Sequence, residues 1–275
     1  MKNIPKVCYM YWGGSTNMPL LMVFTVLSFH KLNPDWKIII YRTIQKDEDL
    51  GRNPYDYYYT GNDHFWMIEA MDFVEIRIFD AIEYGIKKDI HSICGSDMFR
   101  TKILYENGGI YSDFDIIWLK PMSELANVDC IGDPNDFEFN VCYYGLTHRH
   151  HTLSVLMAEA GSLFLKDIID LQNKLEPPYG DCSFSTFLLN DNYPILDDVT
   201  SKFPRVLALL YETFYPYSIF NMDQLWKEND LSPLKSKNTM CVHWFNGHPL
   251  SKDYMNNGFK ADCSMTSILK QEGYI

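Results

Sequence analysis

The stretch of sequence that decides the fold is YENGGIYSDFD (Tyr105–Asp115). It predicts the end of an amphipathic helix, a stop at Gly108 and Gly109, a short strand, and two carboxylates, Asp113 and Asp115, at the end of that strand. Because the two aspartates are two residues apart, their side chains share one face of a straight strand, and in a turn after the strand they can converge on one point. Paired carboxylates suit Mg²⁺ or Mn²⁺, and such an ion most often holds a phosphate.

An Asp-x-Asp pattern alone is weak, and the chain contains a second one. Asp47 and Asp49 lie in a polar run, residues 45–49, that predicts a solvated loop. The first pattern is distinguished by its setting, because a helix, a double glycine and a strand precede it and an apolar run, residues 116–119, follows it.

Strands alternate with helices over the first 120 residues, which predicts one α/β domain, residues 1–275, built on a mainly parallel sheet. Such sheets bind ligands beyond the carboxyl ends of their strands, where Trp12, Asp113 and Asp115 are placed. We predict strands over residues 6–11, 36–41, 73–79, 109–111, 116–119, 128–132, 137–145, 206–210 and 240–244. We predict helices over residues 19–31, 64–71, 80–88, 97–107, 151–165 and 184–189, the fourth with Ser96 as its N-cap.

The composition limits the classes of partner. The net charge of −12 argues against nucleic acid or an anionic membrane, and it favours a metal ion wherever a phosphate group binds. Aromatic residues make up 15% of the chain, with 19 Tyr, which suits either a carbohydrate-binding surface or a large α/β core.

The cysteines and the apolar runs indicate the compartment. Seven scattered cysteines without a Cys-x-x-Cys pair predict reduced, mostly buried thiols and no structural zinc site. We find no signal peptide, and the longest apolar run, residues 19–29, is too short to span a membrane. These features favour a cytoplasmic protein of bacterial or viral origin, although a Golgi enzyme separated from its membrane anchor would look the same.

The region around the first Asp-x-Asp contains a series of residues in a characteristic order and spacing: Ser96-Asp97, Arg100, Leu104-Tyr105-Glu106, Gly108-Gly109-Ile110-Tyr111, Asp113, Asp115 and Leu119-Lys120-Pro121. This series resembles the DXD-containing sugar-transferase family, glycosyltransferase family 32, which is distantly similar to the glucosylating clostridial toxins. The amino terminus also resembles the family's opening strand, with Cys8 or Tyr9 where that family often has a His; its matching residues are Ile4-Pro5-Lys6-Val7 and Trp12-Gly13. The specific core of the resemblance covers residues 95–122.

The resemblance implies a GT-A fold, with a Rossmann-like, mainly parallel central sheet flanked by helices. It implies a transferase that moves a sugar from a nucleotide sugar, with UDP favoured and GDP possible, to a glycan or other hydroxyl acceptor. Mn²⁺ or Mg²⁺ would assist, and the anomeric configuration would be retained. Two alternatives stay open: a nucleotide-sugar hydrolase on the same scaffold, or a carbohydrate-binding module with a decayed site.

Each site residue that the resemblance implies has a plainer alternative. Asp97 and Arg100 would hydrogen-bond the transferred sugar, but alone they indicate a surface pair near a helix start. Trp12 would stack on the nucleotide base, with Tyr11 beside it, but a Trp after a strand also suits a core. Asn140 would lie near the donor, and its alternative is a polar residue in an edge strand.

The metal needs a third ligand besides Asp113 and Asp115. His243 ends a late strand, and GT-A enzymes often take a ligand from a carboxy-terminal His, so we predict His243, with His248 second. The run of residues 148–151, which contains three histidines, lacks spaced carboxylate or Cys partners and indicates a solvated loop.

Overall fold

The computed structural model describes residues 1–13, 17–45, 59–87, 90, 92–143, 154–177 and 184–275. The strands in these ranges are β1 Val7–Trp12, β2 Lys37–Thr43, β3 Val74–Phe79, β4 Gly109–Ser112, β5 Ile116–Trp118, β6 Cys130–Ile131, β7 Phe139–Tyr143, β8 Val155–Ala158, β9 Val206–Leu210 and β10 Cys241–His243. The helices are α1 Leu20–Leu32, α2 Phe65–Glu69, α3 Ser92–Asn107, α4 Leu163–Lys174, α5 Thr186–Asn192, α6 Leu196–Lys202, α7 Asp223–Trp226, α8 Pro249–Asn256 and α9 Ser264–Gln271.

A central sheet has the strand order β3-β2-β1-β4-β8-β7-β9-β6, and β5 pairs separately with β10. The first three pairs in that order are parallel, as the alternation of strands and helices predicts. The other half is mixed, because β7 and β9 pair in parallel while β8 and β6 run antiparallel to their neighbours. The sheet is therefore parallel in four of its seven pairings, and its antiparallel strands all follow residue 120.

Helices cover both faces of the sheet. Cys8 and Met10 of β1 face one apolar cluster, which includes α1 and the carboxy-terminal helices. Tyr9 and Tyr11 face the other cluster, which includes α3, α4, α5 and α6. This alternation with a period of two is what a strand covered on both faces requires. The architecture is a mixed α/β fold with a large central sheet between helices.

The double glycine has the expected role. Gly108 and Gly109 both have positive φ, at 65° and 109°. A Cβ atom on Gly108 would come within 2.8 Å of the Ala160 nitrogen, and one on Gly109 within 2.8 Å of the Val7 carbonyl oxygen. The chain can therefore end α3 and enter β4 beside β1 without a side chain at either position.

Three local predictions were wrong. Helix α3 begins at Ser92, so Ser96 lies inside the helix and is not its N-cap. Residues 81–85 form turns instead of a helix. The Asp80 carboxylate accepts from the backbone N–H groups of Ile82 and Glu83, as an N-cap does, but Gly85 has a positive φ of 94° and ends the run. Part of the helix predicted over residues 151–165 is strand β8, whose buried VLMA sequence pairs with β4.

The helices of the carboxy-terminal half also differ from the predictions, and two predicted loops cannot be compared with the structure. Helix α4 begins later than expected, after its N-cap Ser162. Helices α6, α7, α8 and α9 were not expected. The second Asp-x-Asp and the His-rich run over residues 148–151 lie outside the described residues.

The six cysteines that the structure describes are free thiols, and five of them are buried, as their spacing predicts. Among the helices that the structure describes, none has the length and apolar character needed to cross a membrane.

Candidate metal centre and the adjacent cavity

Two adjacent turns bring together Asp113, Asp115 and His243. Asp113 follows β4, Asp115 precedes β5, and His243 ends β10. One ligand atom from each of the three side chains lies within 4.8 Å of the others. Two carboxylate oxygens and an imidazole nitrogen are a donor set that a divalent cation of the Mg²⁺ or Mn²⁺ type accepts. The structure thus brings together the three residues that the sequence suggested as ligands.

Strand pairing places His243 beside Asp115. In the antiparallel pair of β5 and β10, His243 lies opposite Ile116. The backbone N–H of Trp244 donates to the Asp115 carbonyl oxygen at 2.9 Å, and that of Asn246 donates to Asp115 Oδ2 at 2.9 Å. Asp115 Oδ1 lies 3.1 Å from His243 Nε2. Asp115 therefore fixes both the histidine and the loop after it.

Two aromatic rings hold the His243 imidazole. The Phe245 ring contacts it edge-on at 4.2 Å between centroids, and the Tyr215 ring lies at 5.1 Å. His243 Nδ1 has no hydrogen-bond partner among the residues that the structure describes. Phe245 has a positive φ of 51°, which is uncommon for a bulky residue, and this backbone places its ring against the imidazole.

Asp113 belongs to a second cluster, on the α3 side of the cavity. Arg100 donates to both of its carboxylate oxygens, from Nη2 to Oδ1 at 3.0 Å and from Nη1 to Oδ2 at 3.3 Å. Arg100 Nη2 also lies 3.2 Å from Asp97 Oδ1 and donates to Ser96 Oγ at 2.9 Å. The guanidinium carbon lies 4.7 Å from the centre of the Tyr111 ring. Asp97 and Arg100 are buried, at 2% and 5% exposure, so they are not a surface pair.

The two aspartates differ in their electrostatics. Burial raises the pKa of Asp113, and the Asp115 charge raises it further, although Arg100 opposes both effects. Burial also acts to raise the pKa of Asp115, but the interaction with His243 and the N–H of Asn246 bring that pKa below its ordinary value. Asp115 is therefore the more strongly ionised member of the pair.

Asp97 and Arg100 also perturb one another. Burial raises the pKa of Asp97 to about 6, although Arg100 and a side-chain hydrogen bond with Ser185 oppose that rise. Burial acts to lower the pKa of Arg100, but the charges of Asp113 and Asp97 raise it above its ordinary value. Arg100 is thus a permanent cation.

A cavity of about 610 Å³ opens beside these residues. Tyr11 and Trp12 line it together with Asn17 and Tyr59. Trp12 is 9% exposed, stacks on Phe65 at 6.5 Å between ring centroids, and contacts Phe114 edge-on. Trp12 is therefore a core residue, as the plainer alternative holds, and it also forms part of the cavity wall.

Two of the residues expected near the donor do not line the cavity. Among the described residues, Arg100 contributes to the wall but Asp97 does not. Asn140 lies in β7, between β8 and β9 and not at an edge of the sheet. Its Oδ1 accepts from Met157 N at 2.6 Å and its Nδ2 donates to the Val155 carbonyl oxygen at 3.4 Å, so its side chain links β7 to β8.

Sequence reasoning missed the contribution of helix α8. His248 is the N-cap of α8, and its Nδ1 accepts from Leu250 N at 3.3 Å. His248 and Lys252, one turn into the helix, both line the cavity, and Lys252 is 8% exposed. His is an infrequent cap, but Pro249 at the first helical position was a signal that could have predicted this helix.

Comparison with known proteins found a family similar to part of the chain and several structures with a similar fold. Residues 21–137 match the family described as the glycosyltransferase sugar-binding region containing a DXD motif, and this stretch includes Asp97, Arg100, Asp113 and Asp115. The glycosyltransferase GlyE of Streptococcus pneumoniae has a similar structure, with a TM-score of 0.52 and 12% identity over 99% of this chain. This chain spans 63% of that protein.

Two further solved structures are similar at lower scores. The PaToxG glycosyltransferase has a TM-score of 0.45 and 18% identity, over 73% of this chain and 75% of its own. The galactosyltransferase LgtC, solved with donor and acceptor sugar analogues, has a TM-score of 0.42 and 10% identity, over 98% of this chain and 100% of its own. No curated protein sequence matches the chain. The chain thus has the GT-A fold, and its residues 21–137 are similar to the DXD-containing sugar-binding region of glycosyltransferases.

Proposed function

We propose that this protein is a metal-dependent glycosyltransferase that moves a sugar from a nucleotide sugar, most favourably a UDP-sugar, to a hydroxyl of a glycan or other acceptor. The observation that carries the proposal is the convergence of Asp113, Asp115 and His243 on the wall of a cavity that Trp12 and Arg100 also line. We also propose that the chain belongs to glycosyltransferase family 32, on the spacing of its motifs between Asp97 and Pro121.

Asp115 and His243 would hold Mn²⁺ or Mg²⁺ most directly, and Asp113 would complete the set. When the carboxyl groups of Asp97, Asp113 and Asp115 are all ionised, they and the guanidinium of Arg100 carry a net charge of two negative units, which a divalent cation would balance. When bound, the cation would supply positive charge to the diphosphate as it leaves.

Arg100 and Lys252 are the cationic residues that we assign to the donor. Arg100 would donate hydrogen bonds to the sugar or its phosphate from a planar fork that Asp97 and Asp113 hold in place. Lys252 is 8% exposed and lines the cavity, and we assign it to the diphosphate because its ammonium group supplies positive charge at the wall. Tyr11 and Trp12 would contact the base.

We assign a retaining mechanism. Among the described residues that line the cavity, the carboxylates are Asp113 and Asp115, and both are assigned to the metal. His248 already accepts a hydrogen bond at Nδ1. A general base on the face opposite the leaving group has therefore no candidate carboxylate in the described wall. In front-face attack, the acceptor oxygen bonds the anomeric carbon on the side from which the phosphate departs, and its proton passes to a phosphate oxygen.

A donor screen tests the proposal. UDP- and GDP-sugars would be incubated with the protein in Mn²⁺, in Mg²⁺ and in excess chelator, with and without sugar acceptors, and release of the nucleoside diphosphate measured. We expect release that requires the metal and is faster with an acceptor; equal rates with and without acceptors would indicate a hydrolase. Complete lack of release with every donor, or full activity in chelator, would contradict the proposal. Proton NMR of the first product should show an α linkage from an α-linked donor.

A further inference from the structure

We infer that Gln172 on α4 is a positioning residue that holds Asp97 and Arg100 in register with Asp113. The expected kinetic effects of Gln172 rest on the proposed function, whereas its contacts with α3 do not depend on it. Gln172 is 1% exposed and lies between α4 and α3, in a cluster that is otherwise mainly apolar.

The side-chain amide of Gln172 has partners at both ends. Nε2 donates to the Phe184 carbonyl oxygen at 2.8 Å and to the Asp97 carbonyl oxygen at 3.4 Å. Oε1 accepts from Thr101 Oγ1 at 2.9 Å. Because two carbonyl oxygens contact one end and a hydroxyl contacts the other, these partners fix the orientation of the amide.

These contacts lie at the turn of α3 that carries the site. Ser96 and Arg100 line the cavity, while Thr101 contacts α4, and Asp97 is between these two faces of the helix. A helix turns by about 100° per residue, so Arg100 points from one face of α3 only. A rotation of α3 about its own axis would therefore move Arg100 away from Asp113. Apolar contacts between helices specify rotation weakly, whereas a buried polar link can fix one register.

Gln172 also contacts the segment that leads into α5. By donating to Phe184 it fixes the backbone next to Ser185, and by donating to the Asp97 carbonyl oxygen it contacts the site residue directly. Asp97 in turn pairs with Arg100, and Arg100 with Asp113. A continuous series of polar contacts therefore joins α4 to the candidate metal centre.

The test compares Gln172→Leu, which keeps the volume but removes all three contacts, with Tyr193→Phe as a matched control. Tyr193 lies in the same apolar cluster, and its hydroxyl bonds Asp167 and Lys202, away from Asp97. Thr101→Val is a second variant, in case Gln172→Leu does not fold, because it removes the hydroxyl with little change in shape.

The first measurement is the ¹⁵N–¹H NMR signal of Arg100 Nε, assigned with Arg100→Lys. We expect this signal to move in Gln172→Leu and Thr101→Val and to stay in place in Tyr193→Phe. An unchanged signal in the folded Gln172 and Thr101 variants would overturn the inference. This measurement does not need activity, so it decides the inference even if the donor screen fails.

The second measurement separates kcat from nucleotide affinity. Since a misplacement of about 1 Å can cost about 100-fold in rate, we expect kcat in Gln172→Leu to fall by about tenfold or more. The Kd for the nucleoside diphosphate should stay within about twofold, because Gln172 does not touch the nucleotide side of the cavity. An equal loss of kcat in Tyr193→Phe would indicate general loosening and overturn the positioning role.

Discussion

The two sides of the candidate metal centre treat their aspartates differently. On the α3 side, Arg100 forms two hydrogen bonds to Asp113, so a fixed cation already compensates that carboxylate. On the β10 side, Asp115 contacts an imidazole and a backbone N–H, and neither is a permanent cation. The difference indicates that Asp115 has more negative charge available for the proposed metal ion, whereas Asp113 shares its charge with Arg100, which we assign to the donor.

The largest effect is expected at Asp115. Asp115→Asn keeps an oxygen that can accept from Asn246 N–H, but it removes the charge. The transition state should lose several kcal/mol of stabilisation, so turnover should fall at least about 100-fold. Turnover and Mn²⁺ binding would be measured together. Asp170→Asn, an exposed aspartate on α4, is the control. If Asp115→Asn retained full metal-dependent turnover, the ranking of the two aspartates would be wrong.

On the α3 side, Arg100→Lys should reduce kcat by about 100-fold while changing nucleotide affinity little, because lysine keeps the charge but loses the planar fork. Arg205→Lys is a matched control, since Arg205 also pairs with two carboxylates, Asp136 and Glu159, and does not line the cavity. Steady-state kinetics and calorimetry with the nucleoside diphosphate would separate the two parameters. A loss of nucleotide affinity equal to the loss of kcat would assign Arg100 to the nucleotide instead of the sugar.

The same side should show a pH-dependent effect on stability. The pKa of Asp97 rises from 3.8 to about 6 on burial, a difference that corresponds to about 3 kcal/mol. Between about pH 4 and pH 6, the Asp97 carboxyl group is protonated in the folded protein but ionised in the unfolded chain. Its contribution therefore makes the free energy of unfolding higher below about pH 4 and lower as the pH rises through about 6.

Asp97→Asn removes this titration, so its melting temperature relative to the wild type should increase from pH 4 to pH 7. The comparison would be made in chelator, and Asp113 titrates in both proteins. A relative melting temperature that decreases over this range would mean that the pairing of Asp97 with Arg100 outweighs the cost of burying its charge.

The two sides also differ in how far the sequence predicted them. Helix α3, the Gly108–Gly109 stop and the two aspartates follow one another in 24 residues, so local patterns predicted their order, although the helix begins at Ser92 and not after Ser96. His243 was predicted from the resemblance to GT-A enzymes, which often take a metal ligand from a carboxy-terminal His, and its position beside Asp115 depends on the pairing of β5 with β10.

The misses share a physical cause, which is that long-range contacts decide them. The apolar VLMA segment of β8 suits a helix or a strand equally, and its pairing with β4 makes it a strand. Asn140 has no local signal for its bonds to the β8 backbone. Lys252 is one turn inside a helix whose cap is His248, so neither its burial nor its place in the cavity could be expected from its neighbours.

Trp12 tests the nucleotide end of the cavity. If it stacks on the base, Trp12→Ala should weaken binding of the free nucleotide by about 1–3 kcal/mol, with a smaller effect on kcat. Trp66→Ala is the control, because Trp66 is 62% exposed and does not line the cavity. Because Trp12 also packs on Phe65 and Phe114, the melting temperature should be recorded as well. A loss of stability with unchanged nucleotide affinity would leave Trp12 with a core role alone.

The smallest effect is expected at His243, and it sharpens the comparison most. His243→Ala removes one ligand of the proposed set but leaves both carboxylates, so the metal concentration for half-maximal activity should rise by about tenfold, a cost of about 1.4 kcal/mol. His248→Ala should leave the metal requirement unchanged, because His248 caps α8 and is not part of the three-residue cluster. Calorimetric titration with Mn²⁺ would measure both variants without a donor.

The stability of the His243→Ala variant has to be measured as well. Asp115 Oδ1 loses its partner in this variant, but the backbone N–H groups of Trp244 and Asn246 would still hold the loop. A fall in melting temperature with unchanged Mn²⁺ affinity would make His243 a structural partner of Asp115, and an increased metal requirement in His248→Ala would make His248 the third ligand.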